Sequence, residues 1–196
     1  LLLLLDLIWT EESKKGWLPY VGLLGLALAL IAVVSIAGQQ ASLLSGMLAV
    51  DSFALFFKFI AVLSVGLVIL ISIDFMKDRT PYRGEFFGLL VLAGLGMSLA
   101  AGASDLLMVY LAMELVSFTS YLLVGFLRGD TRSNEASLKY FFYGATASAV
   151  MLYGMSWLYG ITGTTQLAGI ANYFAADMAE PARLWLVVPA LLMLLV

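Results

Sequence analysis

Cysteine and histidine are both missing from the 196 residues, and with them go the usual side-chain ligands of iron–sulfur clusters, haem and structural zinc. No metal or cofactor site is expected in this chain, and electron transfer in any assembly containing it falls to a partner. Charge is scarce too, at 12% of residues with a net of −3. Because the ten Lys and Arg form no basic stripe, the electrostatic footprint of a nucleic-acid binder is lacking. There is no phosphate loop, no G-x-G-x-x-G turn and no nucleophile elbow. What the chain has in excess is apolar surface: 63% hydrophobic residues and a mean hydropathy of +1.03, against roughly 45–50% in ordinary soluble domains. The class is an all-α polytopic membrane protein whose environment is the lipid bilayer.

Both ends look cut. The opening LLLLLDLIW has no Met and covers only about half of the roughly 20 residues that a spanning helix needs. No basic n-region or small-residue cleavage site precedes Glu11, so it reads as the tail of a truncated first span and not as a signal peptide. A single transmembrane domain fragment is expected over 1–196, with five complete spans near 18–37, 50–75, 85–101, 105–127 and 134–160, and partial ones at 1–9 and 184–196. Polar or Gly/Pro-rich breaks such as GQQASLLSG, KDRTPYRG and RGDTRS separate them. An outer interfacial helix is expected near 165–178, where Leu167, Ile170, Ala171, Phe174 and Met178 share one face.

Basic residues fix an orientation. Lys14 and Lys15 follow span one, Lys77, Arg79 and Arg83 follow span three, and Arg128 and Arg132 follow span five, while the alternate loops hold none until Arg183. By the positive-inside rule the basic loops are cytoplasmic and the N-terminus is outside. Gly25 with Ala29, Gly94 with Gly96, and Gly144 with Ser148 sit at helix-packing spacing. Trp9, Trp17, Tyr20, Trp157, Tyr159 and Trp185 read as interface anchors.

Function is legible mainly from 104–143, two apolar segments joined by RGDTRSN, each carrying an ionisable residue. Glu114 falls near the bilayer midplane, where a carboxylate costs about 2.5–3.5 kcal/mol even on the mild insertion scale, so function is the default explanation. Helical spacing puts Tyr110, Ser117 and Tyr121 on its face. Desolvation disfavours the charged carboxylate and a nearby cation favours it, which suits proton transfer or charge coupling. A protonated Glu114 that merely packs against a neighbouring helix is the plain alternative.

Lys139 enters its span near the cytoplasmic end, one turn after Glu135 in the favourable Glu-before-Lys order. Two readings stand: a snorkelling lysine paired with Glu135, or a proton relay whose face continues through Tyr143, Thr146 and Tyr153 toward Glu114. A vertical offset of roughly 10 Å between Glu114 and Lys139 favours coupling through water over a direct ion pair. Lys58 is the third intramembrane charge, read either as snorkelling outward or as standing beside the proton path. Asp74, Glu85 and Asp105 fall at span ends and are expected to be solvated, and Asp6 lies in the cut first span.

The block MELVSFTSYLLVGFLRGDTRSNEASLKYFFYGATASAVMLYGMSWLYGITGTT resembles the antiporter-like subunit N (subunit 2) family of NADH:quinone oxidoreductases, complex I. The likeness extends back through VDSFALFFK and EFFGLLVLAGLGMSLAAGASDLLMVYLA. It implies a fourteen-helix fold built from two inverted five-helix repeats, with this chain running from the end of helix one to the start of helix seven. It implies that the family's helix-five glutamate and helix-six lysine are Glu114 and Lys139, and that a lysine followed by a proline lies in a broken helix seven, near Pro189 and the end of this chain. Further implications are proton translocation in the membrane arm of a bacterial plasma-membrane respiratory complex, other membrane-arm subunits as partners, and NAD, FMN, iron–sulfur clusters and quinone held by partner subunits. A subunit of an Mrp-type cation/proton antiporter or of an energy-converting hydrogenase shares this logic. A non-transporting membrane anchor is the reading from another class.

Overall fold

The computed structural model describes residues 16–77, 79–177 and 181–195. The expectations for the first span, with Asp6, Trp9, Lys14 and Lys15, and for Met178, fall outside those residues. The chain forms α1 (Leu18–Ser35), β1 (Ala41–Leu43), a 3₁₀ turn (Leu44–Gly46), β2 (Leu48–Val50), α2 (Ser52–Met76), α3 (Arg83–Ala101), α4 (Leu106–Val124), α5 (Thr131–Thr162), α6 (Leu167–Asp177) and α7 (Pro181–Leu194). By length and composition α1 to α4 can each cross a membrane. At 32 residues α5 has the length, but Glu135, Lys139 and a run of Gly, Ser and Thr make it more polar.

Three of the helices start where an aspartate side chain satisfies a free backbone donor. Asp51 accepts from the Ala54 amide at 2.7 Å, Asp105 from Leu107 at 2.9 Å and Asp130 from Arg132 at 2.9 Å, opening α2, α4 and α5. The end of α5 is set by Gly163 in the left-handed region (φ 69°). The break before α2 is more ordered than its composition suggests. β1 and β2 pair antiparallel, Ala41 with Val50 and Leu43 with Leu48, around a turn in which Leu44, Ser45 and Gly46 all take positive φ.

Two apolar clusters hold the helices together. One joins α1, α2 and α3 through Leu26, Val62, Val65, Ile69 and Phe87; the other joins α4, α5, α6 and α7 through Leu106, Met151, Met155, Leu158, Ile170 and Ala190. Between them α3 and α4 lie close, because a Cβ on Gly96 would be 2.7 Å from Val116 Cγ2 and 3.2 Å from the Ala112 carbonyl. Gly94 approaches Val65 in the same way. Gly25 differs: it meets no atom within 4 Å and, with Ala29, lines an apolar groove of about 420 Å³ between α1 and α3. Trp157 is half-buried against the second cluster, whereas Tyr20, Tyr159 and Trp185 are exposed as interface anchors would be.

At the far end of the chain α7 runs without interruption through Pro189, so this proline does not break its helix within the described residues. α7 crosses α5 at Gly154, where a Cβ would lie 2.8 Å from both the Ala190 carbonyl and Met193 Cβ. Backbone cannot yield as a flexible side chain does. Gly154→Ala is therefore expected to cost about 1–3 kcal/mol, read as a lowered unfolding midpoint in detergent. An unchanged midpoint would show that the crossing is loose.

The expected interfacial face of α6 is turned inward only in part. Ile170 is buried and Phe174 packs on the second cluster, while Leu167 and Ala171 are exposed.

Candidate functional site

The two basic loops meet at one end of the bundle. Arg128 pairs with Glu85 at 3.4 Å and lies over the Tyr82 ring at 5.1 Å, so Glu85 is an ion-pair partner and not simply solvated. Asp74 is exposed, as a span-end residue should be. At the opposite end the expectation for Asp105 is overturned: its side chain is 2% exposed. It accepts from Thr165 Oγ1 at 2.6 Å as well as from Leu107 N, and Ser104 donates to the Gly46 carbonyl at 2.8 Å. Backbone bonds from Leu106 to Thr165 and from Leu167 to Ser104 complete a clamp tying the β hairpin, the start of α4 and the α5–α6 loop together. Partners sixty residues apart leave no local signal of this burial.

Lys58 is half-buried, and its chain bends back toward this clamped end. A Cβ on Gly102 would lie 3.1 Å from Lys58 Nζ, which puts the ammonium beside the C-terminal end of α3, where the helix dipole favours a cation. The snorkelling reading fits that geometry.

Glu114 is held midway along α4. One face of α4 packs on α3 through Ala112 and Val116, and the adjoining one packs on α5 through Leu106, Val109, Tyr110 and Tyr121. Glu114 shares the α5-facing side with Tyr110, Ser117 and Tyr121. Glu114 Oε1 is buried and has no hydrogen-bond partner among the described residues. The hydroxyls of Tyr110, Ser117 and Tyr121 likewise make no hydrogen bond within them, whereas Thr119 and Ser120, off that face, donate to the Leu115 and Val116 carbonyls at 2.7–2.9 Å. A buried polar atom left unpaired costs about 1–3 kcal/mol and calls for a reason. Glu114 Oε1 is the one buried side-chain oxygen or nitrogen without a partner among the described residues, and it shares its face with three hydroxyls that make no hydrogen bond there.

Lys139 stands elsewhere. Gly125 lies against Ser137, and counting along the two antiparallel helices from that contact puts Lys139 roughly 13 Å from Glu114 along the axis, more than the offset expected. Its side chain is 67% exposed and paired with Glu135. The α5 face that meets α4 carries Tyr140, Phe141, Gly144, Met151, Met155 and Leu158. Tyr143 is 79% exposed, Tyr153 and Thr146 are exposed, and Thr146 donates to Phe142 O. The expected path from Lys139 through Tyr143, Thr146 and Tyr153 to Glu114 is thus turned away by about half a revolution of α5. Sequence spacing says which residues share a face but not where that face points. Because the Lys139–Glu135 pair is exposed, Lys139→Met should change stability by no more than about 0.5 kcal/mol. A larger drop in unfolding midpoint would mean that the pair is structural.

A family model described as NADH:quinone oxidoreductase/Mrp antiporter, TM, matches residues 103–196. Subunit N of the NADH-quinone oxidoreductase of Anaeromyxobacter sp. strain Fw109-5 is 45% identical over 183 residues, covering 92% of this chain and 35% of the relative. The same subunit from Trichlorobacter lovleyi is 40% identical over 170 residues, covering 87% and 35%. Among solved structures, a chain of respiratory complex I from Thermus thermophilus with bound aureothin superimposes with a TM-score of 0.75 at 32% identity, covering 99% of this chain and 39% of that one. Fold and site define an all-helical, multi-pass membrane protein with a carboxylate set into its helix packing. The chain belongs to the antiporter-like subunit N family of NADH:quinone oxidoreductase. It spans about a third of the length of the curated relatives it matches.

Proposed function

We propose that this chain is part of the proton-translocating membrane arm of a respiratory NADH:quinone oxidoreductase in a bacterial plasma membrane, multi-pass, with its basic loops cytoplasmic and its N-terminus outside. Electron transfer from NADH to quinone belongs to partner subunits that hold NAD, FMN and iron–sulfur clusters, since this chain offers neither cysteine nor histidine as donors. Its partners are the other membrane-arm subunits and the lipid around them.

The observation that carries the reading is the buried Glu114 oxygen without a hydrogen-bond partner among the described residues, on a face it shares with Tyr110, Ser117 and Tyr121. A group so placed changes charge at a large electrostatic effect on its neighbours, because a low-dielectric surround screens little. In its ionised state Glu114 stabilises a protonated amine on an adjacent helix, the lysine that the family pattern puts in helix seven. When that negative charge is neutralised or drawn away, the amine is destabilised and its proton moves on. Lys139, held by Glu135 at the basic end, supplies charge where protons enter from the cytoplasm. Lys58 remains at the outer end beside α3.

The test is proton pumping by the complex carrying Glu114→Gln. A wild-type ratio of protons to electrons in that variant would remove Glu114 from the mechanism. An Mrp-type antiporter would instead transport sodium against protons without any electron donor, and that result would replace the assignment.

A further inference from the structure

The seam between α4 and α5 contains a close approach that charge coupling alone does not need. Tyr121 is buried there, its ring edge-on to Tyr140 at 4.9 Å and to Phe141 at 5.7 Å. Its backbone carbonyl accepts from Ser137 Oγ at 2.9 Å. The phenol lies directly over Gly144, so that a Cβ at 144 would collide with the hydroxyl and come within 2.6 Å of Cζ and 2.9 Å of Cε1. No side chain fits at 144 while the phenol stays in place. Glycine inside a helix is otherwise unfavourable relative to alanine, so the slot is kept at a cost.

Direction matters as well. Helical side chains lean toward the N-terminus of their own helix, which on α4 is toward Glu114. The Tyr121 hydroxyl therefore leans from the basic end toward the carboxylate, with Ser117 between the two on the same face. Neither hydroxyl has a hydrogen-bond partner among the described residues.

We propose that Gly144 is a positioning residue: its missing side chain is the slot that holds the Tyr121 hydroxyl in the seam, on the route between the basic end and Glu114. There the oxygen accepts a proton from the basic side as the hydroxyl gives its own to water on the Glu114 side. One O–H bond forms as another breaks, and one proton advances. Rotation of the hydroxyl resets it. This rests on the Glu114 reading above.

The experiment uses full-length subunit in its intact complex in membrane vesicles, with NADH-driven proton uptake as readout and NADH oxidation by ferricyanide as the measure of assembly. Tyr121→Phe keeps the ring and its aromatic contacts but removes the hydroxyl. It should slow proton uptake roughly three- to ten-fold with ferricyanide activity unchanged. Gly144→Ala, which expels the phenol, should match it. The paired variant Tyr121→Leu with Gly144→Ser clears the ring carbons that lie 2.6 and 2.9 Å from a Cβ at 144, returns a hydroxyl to the same space from the opposite helix and should recover most of the flux lost in Tyr121→Phe, a rescue that a packing role would not produce. Wild-type flux in Tyr121→Phe, or no recovery in an assembled paired variant, overturns the proposal. If Gly144→Ala does not assemble, those two variants still decide. A parallel Glu114→Gln sample separates the failures: slowed Glu114→Gln with normal Tyr121→Phe defeats this inference alone, and normal Glu114→Gln defeats the reading beneath it.

Discussion

In a complex carrying Glu114→Gln, NADH-driven proton uptake and coupled quinone reduction are expected to fall about ten-fold or more, while NADH oxidation by an artificial acceptor stays at the wild-type rate. Glutamine has nearly the volume of glutamate and can take the same rotamer, so the α4–α5 packing around the seam is kept. What it loses is the capacity to become an anion. The substitution also separates the two explanations of a buried carboxyl. A protonated glutamate that serves only to pack and hydrogen-bond is closely imitated by a glutamine amide, and the variant would then pump normally. Glu114→Asp completes the comparison, since it keeps the charge but withdraws it by one methylene. Partial pumping in Glu114→Asp together with almost none in Glu114→Gln is the signature of a charge that acts at a distance. Failure of both variants to assemble would instead favour a membrane anchor.

An all-helical membrane fold was legible because the bilayer imposes a length on apolar runs and polar breaks interrupt them. Glu114 stands out as a candidate for a related reason: a carboxylate in such a run is costly unless it does something. The structure adds what one helix cannot say about another. Tyr143 shares a side of α5 with Lys139, yet the orientation of α5 is set by Tyr121, Met151 and Leu158 at its interface, and these turn Tyr143 outward. Gly144 looked like a packing glycine and nothing more, because the phenol occupying its space belongs to α4. The β hairpin at 41–50 was missed because three-residue strands carry too little alternation to be seen.

Asp105 is the residue for which sequence position misleads most, and its replacement should have the largest effect on stability. Asp105→Ala removes the N-cap of α4, usually worth about 1 kcal/mol, and strands Thr165 Oγ1 in a site where the lost bond to a carboxylate is worth about 1.5–3 kcal/mol. The expected loss is about 3 kcal/mol, seen as a lower denaturant midpoint in detergent, with the α5–α6 loop opening to protease before the rest. Asp105→Asn keeps an oxygen for the Leu107 amide and an amide that can donate to the Thr165 hydroxyl, so it should cost only about 1 kcal/mol. Thr165→Val tests the other half of the contact. If the two side chains act through each other, Asp105→Ala combined with Thr165→Val will be less damaging than the sum of the single losses. Full additivity, or an Asp105→Ala midpoint equal to wild type, would mean that the clamp is held by its backbone bonds alone. The distinction bears on function because α4 carries Glu114 and Tyr121 on one rigid rod. A clamp that fixes the N-terminal end of that rod to the α5–α6 loop also fixes the register of the polar seam against Gly144, so Asp105→Ala should weaken pumping only as far as it lets α4 and α5 slip.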